Sequence, residues 1–224
     1  APGCGLGCRG FESHRSPHPS SPRLSVPDLV VAVVLAGGRA RRMGGGDKPL
    51  LPIAGRPMLA SIIETLEPMP IAISANGDPA RFAGFGLPVL PDGPFVDQGP
   101  LAGILAGLDW AAGSGAEFLL SVPGDTPLIP RDLPIRLTPA PACAASRGLI
   151  HPLVALWPVA CRTTLVAWLS RPGSRAAIEF GRSIGMRVVD FPVRDPDPFL
   201  NVNTPGELAE IQARTESKRA GGAG

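Results

Sequence analysis

The chain has 224 residues, 44% hydrophobic and 18% charged, with a formal net charge of +2. That composition supports folding by burial into one large α/β domain or two small ones. It excludes a histone-like basic protein and an acidic disordered chain, and nonspecific nucleic-acid binding is not expected. Residues 1 to 28 contain five Pro, four Gly and five Ser with no apolar periodicity. They read as a disordered extension without the continuous apolar stretch of a secretory signal. Cys4 and Cys8 form a CxxxC pair, but no second pair or His completes a zinc site. Four cysteines are too few for a disulfide scaffold, so a reducing cytoplasm is the expected location. Residues 29 to 215 read as the folded domain and 216 to 224 as a frayed tail.

Leu29 to Ala36 is an unbroken apolar run, which predicts a strand buried on both faces and central in a parallel sheet. At eight residues it is far shorter than the ~20 needed to span a bilayer, and no membrane association is expected. A glycine-rich loop follows over 37 to 48. Pro57 to Leu66 then carries Leu59, Ile62, Ile63 and Leu66 at helical spacing behind a first-turn Pro. Strands are predicted at Ile71 to Ala75 and at Val89 and Leu90. Pro100 to Ala112 reads as a small-residue helix in which Gly103 and Gly107 permit close packing. Glu117 to Val122 predicts another buried strand, and the loop Pro123 to Pro130 follows it.

The second half is less regular. A strand is expected near Leu153 to Trp157, helices near Val159 to Leu169 and Ser174 to Phe180, and a strand at Met186 to Phe191. Thr204, Pro205 and Glu207 stand in the order of a capping box ahead of Leu208 and Ile211, which predicts a final helix. The alternation of strands and helices predicts a three-layer αβα domain, Rossmann-like and doubly wound on a mostly parallel sheet.

In such sheets ligands bind beyond the carboxyl ends of the strands. The loop that runs from Leu35 through Gly37, Gly38 and Gly44 to Lys48 combines five glycines with Arg39, Arg41, Arg42 and Lys48. Glycines let backbone N–H groups approach an anion, and the cations neutralise phosphate charge, so a polyphosphate fits here. Lys48 stands out because only it and Lys218 are lysines among the 21 Lys and Arg. Gly46-Asp47-Lys48-Pro49 lacks the Ser or Thr of a Walker A motif, and the loop is not GxGxxG. Asp125, just past a buried strand, is a lone carboxylate suited to Mg²⁺, which takes one or two protein carboxylates and fills its shell from water and phosphate. It could equally belong to a turn or a helix cap. Asn76-Gly77-Asp78 and Asp92-Gly93 each carry turn chemistry of their own. His151 enters an apolar strand and reads as a hydrogen-bonded histidine rather than a catalytic base.

The run LAGGRARRMGGGDKPL, with GPLAGIL at 99 to 105, PGDTPLIP at 123 to 130 and NVNTPGEL at 201 to 208, resembles the molybdenum cofactor guanylyltransferase family. That family lies within the wider nucleotidyltransferases that open with LAGG, and the likeness runs from about Val30 to Arg214. It implies GMP transfer from GTP to molybdenum-loaded molybdopterin, with Mg²⁺ as cofactor. The likeness implies that Leu35, Ala36 and Gly37 contact the guanine nucleotide, that Lys48 meets its phosphates, and that Asn76 and Asp92 add nucleoside contacts. Asp125 matches the residue that binds Mg²⁺ and nucleotide, while Asn201 and Asn203 resemble residues near the pterin. Lys48, Arg42 and Asp125 are the expected catalytic groups. Asp92 would accept from guanine or contact ribose. The family further implies molybdoenzyme chaperones or an upstream molybdenum insertase as partners. Gly124 stands where many members have Cys, and the 28-residue extension has no counterpart. A related cytidylyltransferase, a sugar-1-phosphate nucleotidyltransferase and a non-catalytic GTP or cofactor carrier are the alternatives.

Overall fold

The computed structural model describes residues 29–37, 48–53, 55–192, 194–202 and 207. Arg42, Asn203 and most of the predicted final helix lie outside the described residues. Strand β1 (Val30–Leu35) pairs in parallel with β4 (Ile71–Ser74) on one side and β6 (Phe118–Pro123) on the other. The predicted central position is therefore observed. Alternation sends Val30, Ala32 and Val34 to one face, against Leu59 and Ile62, and Val31 and Val33 to the other, against Leu101, Ile104 and Leu108. Both faces are dry, which explains a strand with no polar residue.

Before β4 lie a small antiparallel pair, β2 (Pro52–Ile53) and β3 (Arg56–Pro57), and helix α1 (Met58–Leu66). Pro57 caps α1 rather than opening its first turn. Strand β5 (Val89–Leu90) then pairs in parallel with β4. Helix α2 (Pro100–Gly113) starts after Gly99 as predicted. A Cβ at Gly103 would fall 2.3 Å from Ser74 Oγ, and one at Gly107 would fall 2.9 Å from Leu119 and 3.0 Å from Val33. Those glycines bring α2 against the sheet closer than any side chain allows, as the small-residue pattern implied.

Beyond β6 come α3 (Leu133–Arg136), β7 (Ala142–Ser146), β8 (Leu149–Pro158), α4 (Arg162–Leu169), α5 (Ala177–Ser183) and β9 (Arg187–Asp190). The seven-stranded order is β5-β4-β1-β6-β8-β7-β9, with β8 antiparallel to both neighbours and β9 parallel to β7. The sheet is mostly parallel, as expected. α1 and Leu133 of α3 cover one face, and α2, α4 and α5 cover the other. No described helix is long and apolar enough to cross a membrane.

Several elements depart from the sequence reading: β2, β3 and α3 were not expected, and three others are informative. Strand β7, Ala-Cys-Ala-Ala-Ser, was not expected, because it lacks the β-branched and aromatic residues that mark strands. It is wholly buried between β8 and β9, where small side chains fit. Helix α5 starts three residues later than predicted. Arg175 Nη2 donates to the carbonyls of Leu169 (3.1 Å) and Arg171 (2.9 Å), and Ser174 Oγ accepts from the Ala176 amide at 3.1 Å. Those bonds cap α4 and hold residues 174 to 176 in a turn. Val159 to Cys161 form a 3₁₀ turn ahead of α4 rather than its first α-helical turn.

The β7–β8 pairing also slips. Cys143 faces Ala155, yet Ala144 faces His151, so Pro152 to Val154 form a bulge. Pro152 has no N–H for a ladder, which favours the break there. The Leu153 carbonyl accepts instead from Ser121 Oγ at 2.7 Å, and that hydroxyl accepts from Trp157 Nε1 at 2.8 Å.

Candidate active site

The parallel strands β1, β4, β5 and β6 all end on one edge of the sheet. Gly37, Asn76, Asp92 and Asp125 each lie two residues past the end of their strand. Together with Leu35 and Lys48 they line one cleft of about 500 Å³. Loops from four neighbouring parallel strands thus converge where a doubly wound sheet places its ligand. The opposite walls are the start of α2, at Gly99, Pro100 and Gly103, and Leu153 from the β8 bulge.

Lys48 and Asp125 meet across this cleft, with Nζ to Oδ2 at 2.5 Å and both side chains mostly buried. Lys48 opens a 3₁₀ turn whose Pro49 is buried. A Cβ at Gly124 would fall 2.6 Å from Pro49 Cγ and 3.2 Å from the Leu35 carbonyl oxygen, and the Gly124 amide donates to that oxygen at 2.9 Å. The absence of a side chain at Gly124 is what lets the two ligand loops touch.

Asn76 and Asp92 form a two-bond ring. Asn76 Nδ2 donates to Asp92 Oδ2 at 2.6 Å, and the Asp92 amide donates to Asn76 Oδ1 at 2.9 Å. The guanidinium of Arg81 bonds the Asn76 carbonyl from outside and lies over the Phe82 ring. Burial pushes the Asp92 carboxyl above its ordinary range; the Asn76 bond opposes this, and the negative charge of Asp97 adds to it. Asp97 is a cleft residue that sequence reasoning missed. Its only signal was an acidic residue in the turn before the Gly99-Pro100 helix start.

Other candidates sit differently. Ala36 is fully buried and its amide donates to the Ser74 carbonyl at 2.8 Å, so that N–H belongs to the sheet and not to the cleft wall. Asn201 Oδ1 accepts from Thr126 Oγ1 at 2.8 Å, and the Val202 amide donates to the Asp125 carbonyl at 2.9 Å. Residues 201 and 202 therefore brace the Asp125 loop from behind.

His151 is a hydrogen-bonded histidine, as expected. Phe199 N–H (2.8 Å) and Ser146 Oγ (2.9 Å) both donate to Asp197 Oδ1, and Ser146 Oγ lies 2.9 Å from His151 Nε2. Ser146 gives its single proton to a carboxylate, so Nε2 must carry the proton on the histidine side. The ring lies 5.1 Å from that of Phe199. Burial lowers the His151 pKa, with Asp197 opposing. A depressed folded-state value means the unfolded chain takes up a proton first as pH falls. The neutral imidazole's contribution is complete above about pH 6.5 and declines as pH drops through that value toward the lower folded pKa. The urea midpoint should fall more steeply on acidification in the wild type than in His151→Gln; equal slopes would show that His151 contributes nothing to the pH dependence.

A family model for the MobA-like NTP transferase domain matches residues 32–185. A molybdenum cofactor guanylyltransferase of Acidiphilium cryptum (strain JF-5) is 54% identical over 184 residues, covering 81% of this chain and 93% of that protein. The chain belongs to the molybdenum cofactor guanylyltransferase family. A second member, from Rhodopseudomonas palustris (strain BisB5), is 48% identical over 206 residues, covering 87% of this chain and 94% of its own length. Among solved structures, molybdopterin-guanine dinucleotide biosynthesis protein A from Archaeoglobus fulgidus has the same fold, with a TM-score of 0.65 at 19% identity. The alignment covers 84% of this chain and all of that one. Membership makes the chain a nucleotidyltransferase.

Proposed function

We propose that this chain transfers GMP from GTP to molybdenum-loaded molybdopterin, forming the guanine dinucleotide cofactor and pyrophosphate. The observation that carries the reading is the Lys48–Asp125 pair in a cleft built from four strand ends. The terminal phosphate of the pterin attacks the α-phosphorus of GTP in line, and pyrophosphate leaves. A phosphate monoester is already an anionic nucleophile, so no covalent enzyme intermediate is required. The enzyme's task is to align two anions that repel each other.

Lys48 exchanges Asp125 for the triphosphate and spreads the charge that develops on it. Arg42, from the basic stretch that precedes Lys48 in sequence, is the second cation of this reading. Asp125 is the residue that would hold Mg²⁺. Among the described residues no group of three or more His, Cys, Asp or Glu gathers into a metal cage. One carboxylate suits an ion that arrives with the nucleotide and keeps water and phosphate in its shell. When bound, the ion neutralises phosphate charge. Leu35 and Gly37 border the nucleoside, and Asn76 holds Asp92 in place beside it. Asn201, bonded to Thr126 beside Asp125, belongs on the pterin side, and Asn203 is assigned there by the family resemblance. We place the enzyme in the cytoplasm, downstream of a molybdenum insertase and upstream of molybdoenzyme chaperones.

The test is incubation with Mg²⁺, molybdenum-loaded molybdopterin and GTP, CTP or ATP in parallel. The expected result is pyrophosphate and dinucleotide with GTP. Product formed preferentially from CTP would make the chain a cytidylyltransferase, and nucleotide binding without pyrophosphate release would make it a carrier.

A further inference from the structure

Three aspartates line the cleft, and their surroundings differ. Asp125 is held by Lys48. Asp92 is held by Asn76, which occupies one carboxylate oxygen and the backbone amide. Asp97 makes no hydrogen bond and no ion pair among the described residues, so both its oxygens are open to a ligand. It is also one of two non-glycine residues with positive φ among the described residues, at +66°. Gly99, two residues on, has φ +77°, and the Gln98 amide closes the turn on the Phe95 carbonyl at 3.1 Å. An L-residue held in this region costs about 1 kcal/mol or more and tends to persist where a side chain must be aimed.

The cleft is electrically divided. Lys48 marks its cationic end, and Asp92 with Asp97 forms a carboxylate wall close enough for one charge to raise the other's pKa. That wall repels phosphates and welcomes hydrogen-bond donors. A nucleoside triphosphate laid with its phosphates toward Lys48 presents its base or ribose to the wall. Guanine carries two parallel donors on one edge, N1–H and the 2-amino group, which match the two oxygens of a free carboxylate. Adenine and cytosine place a ring acceptor beside their amino group, so the same carboxylate meets one donor and one lone pair. Asn76 already takes up part of the accepting capacity of one Asp92 oxygen, which leaves Asp97 the freer carboxylate for that fork.

We propose that Asp97 selects guanine, its carboxylate accepting from N1–H and the 2-amino group, while Asp92 is left to the ribose. This rests on the GTP-using reading above. It assigns base choice to a residue outside the motifs that carry the family resemblance.

Equilibrium binding of GTP and of inosine triphosphate, which lacks only the 2-amino group, tests it, with CTP as the control. Wild-type protein should prefer GTP over inosine triphosphate by about tenfold or more, as expected when a charged acceptor loses its donor. Asp97→Asn should bring the two affinities to within about twofold, since the loss falls mainly on GTP. Asp97→Gly should do the same, and glycine accepts the positive φ without strain, so a folding defect cannot mimic the result. A purely structural role would weaken both nucleotides alike. If either variant keeps the wild-type GTP-to-inosine ratio while the wild type prefers GTP, the assignment of Asp97 is wrong and the guanylyl reading survives. If the wild type prefers CTP, the guanylyl reading fails and the assignment goes with it.

Discussion

Asp125→Ala and Lys48→Ala should each lower the turnover of GMP transfer by about 10²- to 10³-fold while leaving the fold in place. The two side chains are bonded at 2.5 Å at the carboxyl edge of the sheet. Neither belongs to a core cluster, and although both side chains are mostly buried they line an open cleft, from which water can hydrate the charge that a truncation leaves behind. Their removal therefore separates chemistry from folding. Lys48→Ala removes the fixed cation from the triphosphate, and Asp125→Ala removes the carboxylate that would hold the divalent ion. Both losses fall on charge that develops in the transition state, so kcat should drop more than KM rises. The double variant should be barely slower than the worse single one, since the groups act on one phosphate chain. Steady-state pyrophosphate release with circular dichroism as the folding control measures this. Near-normal rates in either single variant would remove that residue from the mechanism.

Trp157→Ala should destabilise the fold by about 3–5 kcal/mol, a large part of the 5–15 kcal/mol typical of a domain. Trp157 is fully buried, stacks on Phe180 with ring centroids 5.9 Å apart, and donates to Ser121 Oγ at 2.8 Å. Truncation leaves a cavity between the sheet and α5 and withdraws a donor from the hydroxyl that supports the Leu153 carbonyl. Trp157→Phe keeps most of the apolar volume and should lose about 1–2 kcal/mol, the scale of one buried hydrogen bond with imperfect packing. Urea midpoints for the two variants separate these contributions. A loss below about 1 kcal/mol for Trp157→Ala would mean that the site collapses around the missing ring.

The first half of the fold was legible because its strands are buried on both faces and so appear as uninterrupted apolar runs. β1, β4 and β6 fell within a residue or two of their predicted ends. Helix α2 was legible from Pro100 and its small residues, whose tight fit against Ser74 and Val33 gives the glycines their reason. The second half was harder for local reasons. β7 is made of Ala, Cys and Ser, whose burial is decided by neighbours distant in sequence. The Pro152 to Val154 bulge depends on a hydroxyl more than thirty residues away. The start of α5 was set by Arg175 reaching back to α4, a contact that no periodicity reveals.

The candidate site shows the same division. Asp125 and Lys48 stood out through charge and position, but their direct contact spans 77 residues and required the strand order. Leu35, Gly37, Asn76 and Asp92 converge because β1, β4 and β5 are neighbours. Asp97 was invisible because its place is decided by the turn into α2. The amide of Ala36 completes the ladder to β4, a use of that N–H which the sequence pattern does not reveal.

The seam at Gly124 carries one more consequence. With the Gly124 amide bonded to the Leu35 carbonyl and Pro49 seated where a side chain would otherwise stand, Leu35, Pro49 and Gly124 form a matched seam. A chimaera that imports only the glycine-rich stretch from a relative carrying Cys at that seam would mate two surfaces shaped for different partners. Transplanting both sides of the seam together would carry their fit along, so anyone re-engineering the phosphate-facing loops of this scaffold should exchange them as a cassette.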